Sequence, residues 1–85
     1  MTEIDYSQLR SLQARQLISA LIRDEFILRS QRGSHHRYRH PDGRRVTVPF
    51  SRPGDTFAPK TLRRIIEEQA CWTAEDLRRL GLLAD

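Results

Sequence analysis

The sequence predicts an α+β domain: a helix, a three-stranded antiparallel sheet, a second long helix and a short extra C-terminal helix. Three observations carry this prediction. Apolar residues recur at helical spacing over Leu17, Ile18, Leu21 and Ile22, and again over Leu62, Ile65 and Ile66. Short strand-like segments lie between those two stretches. Two of these segments are joined by Pro41-Asp42-Gly43, where Asp suits the turn and Gly suits the left-handed position that a three-residue hairpin loop requires. At 85 residues the chain makes one small domain with a modest core.

Taken in order, residues 1–13 are polar and mixed in charge, and are expected to form a loose N-terminal extension to a single domain over residues 14–85. The first helix begins at Ala14, with Arg15, Gln16, Ser19 and Arg23 on its polar side, and ends near Asp24. Residues 26–31 form the first strand, 31–34 a turn, 35–40 the second strand and 44–49 the third. A loop over 50–58, punctuated by Pro53-Gly54, leads to Pro59, which fits the first turn of a helix reaching Ala70. Thr73 and Asp76 have the spacing of a capping box for a last helix over 74–80, stopped by Gly81.

Strand side chains alternate between faces, so the bulkiest residue of the second strand orients it. Tyr38 inward puts His36 and His40 on the covered face, with Val46 and Val48 of the third strand. His35, Arg37 and Arg39 then face solvent with Arg45 and Thr47, joined by Arg29 of the first strand.

Charge singles out the same region. Fourteen of the fifteen basic residues are arginine, Lys60 being the exception, and seven arginines with a single acid, Asp42, fall between Arg29 and Arg52. Arginine offers a planar fork of donors that grips phosphate. A basic stripe of this kind points to an acidic partner, nucleic acid or protein. The one cysteine, Cys71, cannot form an internal disulfide, and a small buried thiol is its simplest role. No apolar run reaches membrane-spanning length, and the first residues lack the layout of a signal peptide, so the chain is expected to be soluble and cytoplasmic. The spacing of His35, His36, His40 and Asp42 matches no common zinc pattern, so no metal and no cofactor is expected.

The block Gly33-Ser34-His35-His36, followed by Tyr38, Arg39-His40-Pro41-Asp42-Gly43 and Val46-Thr47-Val48-Pro49, resembles the HicA family of mRNA interferase toxins from toxin–antitoxin pairs. The similarity extends through Leu17-Ile18 and Asp24-Glu25-Phe26 upstream and through Pro59, Thr61-Leu62 and Ile65-Ile66 downstream, covering roughly residues 14–72. The resemblance implies a fold like that of a double-stranded RNA-binding domain, metal-independent cleavage of mRNA, and a HicB-like antitoxin that covers the site in a hetero-oligomer. It also implies that His35, the histidine directly after Gly-Ser, is catalytic. Four positions depart from the family pattern. Glu25 and Cys71 replace glycines that resemble left-handed helix ends, where a side chain adds strain. Ser51 replaces a histidine, and Lys60 a glycine.

The chemistry expected of these residues follows from RNA itself, which carries a nucleophile next to every phosphate. Histidine titrates near neutrality and serves as general acid or base. Surrounding arginines hold phosphate and offset developing charge. His35 is therefore the expected catalytic residue, with His36 and Tyr38 as candidate helpers. Arg29, Arg32, Gly33, Ser34, Arg37, Arg39, Arg45 and Lys60 are the expected RNA contacts. For His36 and His40, packing beside Tyr38 or at the hairpin end is the simpler role, and for Trp72 an anchor between helices. The plainer alternative for the whole chain is a non-catalytic RNA-binding module on the same basic sheet.

Overall fold

The protein, described over residues 4–84 by a computed structural model, has the predicted architecture. Helix α1 (Ala14–Arg23) is followed by strands β1 (Ile27–Arg32), β2 (His35–Arg39) and β3 (Arg45–Pro49), then by α2 (Pro59–Arg63), a π-helical segment (Arg64–Gln69) and α3 (Ala74–Arg79). The sheet is antiparallel with order β1-β2-β3. This helix–three strands–helix arrangement is that of a double-stranded RNA-binding domain with one further helix.

The core forms where the apolar side of the helices meets the inner face of β2 and β3. Leu17 and Leu21 of α1, Tyr38 of β2, Val46 and Val48 of β3, and Ile65 and Ile66 of the π segment are all buried there. The helices cover β2 and β3 but not β1. All six β1 residues are exposed, Ile27 and Leu28 included. The covered apolar face is thus confined to β2 and β3, the strands whose inward residues the sequence identifies.

Residues 1–3 of the expected loose extension lie outside the described residues, and those from Asp5 to Leu12 pack against the domain. A 3₁₀ turn over Tyr6–Leu9, capped by Asp5, sends Leu9 and then Leu12 into the core. Tyr6 donates its hydroxyl to Glu67, and burial together with that bond pushes its pKa up. Leu77, Leu80 and Leu83 join the same core, and the Ala84 N–H donates to Gln8 Oε1 beside that turn.

Between Arg64 and Gln69 the helix widens to i→i+5 bonds: the Ala70 N–H donates to the Ile65 carbonyl at 2.8 Å. Gln69 in this segment uses its Oε1 to accept the Thr47 N–H (2.7 Å), occupying a donor on the free edge of β3.

Helix ends repeat one device. After α3, Gly81 at φ +80° lets its own N–H reach the Arg78 carbonyl and the Leu82 N–H reach that of Leu77, a Schellman motif. After α1 the same two bonds run from Glu25 to Ile22 and from Phe26 to Leu21, but the left-handed residue is Glu25, at φ +74°. Cys71 ends the π segment at φ +56°. Both non-glycine departures therefore occupy left-handed backbone, as the sequence predicts.

One carboxylate ties these ends together. Asp24 Oδ2 accepts from Trp72 Nε1 (2.8 Å) and lies 3.4 Å from an Arg44 nitrogen, while Oδ1 accepts from Arg79 (3.0 Å). Burial of Asp24 opposes its ionisation. The Trp72 and Arg79 hydrogen bonds and the Arg44 charge outweigh burial and hold the carboxyl below its ordinary value.

Candidate nucleic-acid interface and active site

The outer face of the sheet is built from three cross-strand rows. Register places Arg32, His35 and Pro49 in one row, Ser30, Arg37 and Thr47 in the next, and Ile27, Arg39 and Arg45 in the third. Tyr38 fixes this arrangement by being buried, with 5 % of its surface exposed, so its neighbours in sequence must face out. His35 is exposed, and so are Arg37 and Arg39. His35 starts β2 directly after a two-residue turn. Gly33 takes the left-handed position of that turn at φ +59°, and the Ser34 carbonyl accepts the Phe50 N–H.

The first strand reaches this face through an irregularity. Pairing runs Leu28 with Tyr38 and then Ser30 with Arg37, leaving Arg29 as the extra residue of a β-bulge. Strict alternation would put Arg29 and Arg32 on opposite faces, because they are three positions apart. The bulge absorbs one residue, so Arg32 stands opposite His35 while Arg29 also lines the outer face.

Two adjoining hollows mark this surface. The larger, about 520 Å³, is lined by Arg29, Ser30, Arg37, Arg39, Arg45 and Thr47 over Tyr38 and Val46. The smaller shares Arg29 and Arg39 and continues past Ile27 to His40 and Pro41. Among the described residues, Arg29, Arg32, Arg37, Arg39 and Arg45 form no ion pair, whereas Arg44, Arg63 and Arg79 each do. Five unneutralised guanidinium groups beside an exposed imidazole suit a polyanion. They can hold phosphate oxygens while the imidazole exchanges protons.

The other expected residues lie elsewhere. His36 is buried on the inner face, stacked on Phe50 with ring centroids 3.9 Å apart. Its Nδ1 lies 3.2 Å from the Ser34 carbonyl and 3.4 Å from that of Val48, two acceptors that favour a proton on that nitrogen. Tyr38 is also on the inner face, and burial pushes its hydroxyl pKa up. Both candidate helpers are thus on the side of the sheet away from His35. His40 packs edge-on against Phe26 and accepts the Asp42 N–H through Nδ1. The three histidines do not converge. Lys60 is exposed on α2, in the helical layer and outside the two hollows. Trp72 is the anchor between helices. Cys71, expected to be buried, is exposed, because the left-handed chain reversal turns it outward while Ala70 and Trp72 stay in the core.

Ser30, not expected on this face, and Thr47, expected to face outward, both join the arginine-lined hollow, although neither was among the expected RNA contacts. The bulge moves Ser30, and nothing in the residues 27–32 announces a bulge. Thr47 faces outward as its alternation with Val46 and Val48 predicts.

Comparison with known families gives a match for this fold. The chain matches the family described as the HicA toxin of bacterial toxin–antitoxin over residues 14–70. No curated protein matches it. The match spans most of the chain, including all three strands and the helices on either side of them, and the chain therefore belongs to the HicA toxin family.

Proposed function

We propose that this toxin is a metal-independent endoribonuclease that cleaves mRNA on the outer face of the sheet, with His35 as its single catalytic histidine. The observation that carries the reading is the row Arg32–His35–Pro49: an exposed imidazole directly across from an unpaired arginine, beside four more such arginines. Membership of a toxin family of which ribonuclease activity is generally characteristic supports it.

In this reaction the 2′-oxygen of a ribose attacks the neighbouring phosphorus. The O2′–P bond forms and the P–O5′ bond breaks, leaving a 2′,3′-cyclic phosphate and a free 5′-hydroxyl. One proton leaves O2′ and one arrives at O5′; His35 carries one of these transfers. Arg32 offsets charge on the phosphoryl oxygens as it develops. His36 and Tyr38 take no part, because they lie on the covered face. Their role is to hold β2 so that His35 projects outward.

The antitoxin partner that the family implies is, on this reading, a HicB-like protein. It covers the basic face in a hetero-oligomer and so keeps RNA from His35. The site of action is cytoplasmic mRNA. Incubating the protein with RNA in EDTA is expected to yield fragments ending in 2′,3′-cyclic phosphate. One feature favours a second reading. Among the described residues nothing hydrogen-bonds the His35 ring, so no protein group fixes its orientation. A non-catalytic RNA-binding module predicts salt-sensitive binding and intact RNA in the same assay.

A further inference from the structure

The hollow lined by Arg29, Ser30, Arg37, Arg39, Arg45 and Thr47 does not include His35. We propose that it is a separate subsite for RNA phosphate, which holds a phosphodiester flanking the scissile one. This inference rests on the nuclease reading above and specifies which arginines serve chemistry and which serve grip.

The geometry separates the two. His35 shares its row with Arg32 and Pro49, at the turn end of the sheet. The hollow belongs to the other two rows. Along an extended strand, Arg37 is displaced from His35 by about 7 Å and Arg39 by about 14 Å. A single phosphate on His35 cannot reach both, whereas the next phosphates of an extended chain can. The hollow is built for an anion: four guanidinium groups converge with two hydroxyls, and among the described residues none of the four is neutralised by a carboxylate. Crowding four like charges costs stability unless a ligand occupies the space between them. The bulge supports the same conclusion. It shifts the register by one residue, so that Ser30 and Arg32 join Arg29 on the outer face: Ser30 completes the hollow while Arg32 stands opposite His35.

The test uses the full-length protein and the double variant Arg37→Ala/Arg45→Ala, both positions exposed on the outer face. With RNA of about a dozen nucleotides, KM is expected to rise about tenfold or more, as loss of charge-assisted bonds to phosphate requires, with kcat within a factor of two. A dinucleotide with a single phosphodiester is expected to be cleaved equally slowly by wild type and variant. A 2′-deoxy oligonucleotide of the same length, which cannot be cleaved, is expected to bind the variant more weakly. Its salt slope should fall by about 0.7 for each phosphate no longer neutralised. A kcat loss as large as the KM change would mean that the hollow holds the scissile phosphate, and the inference fails. Unchanged KM and unchanged deoxy-oligonucleotide affinity would leave the hollow to another anion, such as carboxylates of the antitoxin, and the inference fails again. If wild type cleaves no RNA, the nuclease reading fails on its own. The deoxy-oligonucleotide arm then decides the subsite: weaker binding by the variant supports it and equal binding overturns it.

Discussion

Two sets of arginines in this small chain have opposite fates. Where the helix ends meet the hairpin, Arg44 meets Asp24, Asp42 and the Ala70 carbonyl and lies over the Phe26 ring, while Arg79 bridges Asp24 and Asp76. On the outer face of the sheet Arg29, Arg32, Arg37, Arg39 and Arg45 meet no carboxylate among the described residues. The first set is consumed in holding helix ends to the hairpin. The second stands ready for an anion the protein does not itself supply. Arg44 and Arg45 are neighbours in sequence and fall into different sets, so composition alone does not distinguish scaffold from site.

The sharpest way to break this division is at His35. His35→Ala is expected to lower RNA cleavage by about 10²–10⁴-fold, the usual contribution of a positioned acid or base. Its melting midpoint should stay within the range of a neutral surface change, about 0.5 kcal/mol. A cleavage loss matched by a loss of folded protein would place His35 in the scaffold and remove the distinction between the two regions.

The scaffold side predicts the reverse pattern. Asp24→Asn removes charge-assisted bonds to Arg44 and Arg79 and should cost about 2 kcal/mol in denaturant unfolding, with cleavage per folded molecule unchanged. The sign of its pH dependence follows from the depressed carboxyl. Stability from Asp24 is fully present above its unfolded value, near 3.8, and is lost as pH falls through the lower folded value. The gap between wild type and Asp24→Asn should therefore narrow only below about pH 4. A gap that closes near neutrality would implicate a histidine instead.

Much of this was legible in the sequence because it depends on local rules. One bulky residue, Tyr38, oriented β2 and hence the whole outer face. Pro41-Asp42-Gly43 fixed the hairpin, with Gly43 at φ +101°. Thr73 and Asp76 form the reciprocal cap that their spacing predicts. The features missed depend on tertiary context. The bulge at Arg29 arises from pairing with β2, and the string Ile-Leu-Arg-Ser-Gln-Arg carries no alternation that reveals it. The π-helical segment and the Gln69 bond to Thr47 need the β3 edge to be present. Leu9 and Leu12 sit in a polar stretch with no helical period, and only the completed core gives them a place.

The smallest expected effect tests how the scaffold tolerates its two departures from glycine. A side chain in left-handed backbone costs about 1–2 kcal/mol, part of which glycine returns through its greater freedom in the unfolded chain. Glu25→Gly and Cys71→Gly should each therefore stabilise the fold by about 1 kcal/mol, or roughly 4–8 °C in melting temperature for a domain of this size. The two sites are not independent. Asp24 precedes Glu25, Trp72 follows Cys71, and those two neighbours share the 2.8 Å hydrogen bond that closes the scaffold network. If that bond holds both strained residues in place, relaxing one makes it easier to keep the other, and the double variant gains less than the sum of the singles. Strict additivity in a double-mutant cycle would mean that each reversal is held by its own helix bonds, from Glu25 to Ile22 and from Trp72 to Ile66. The Asp24–Trp72 bond would then join the helix ends without setting their geometry.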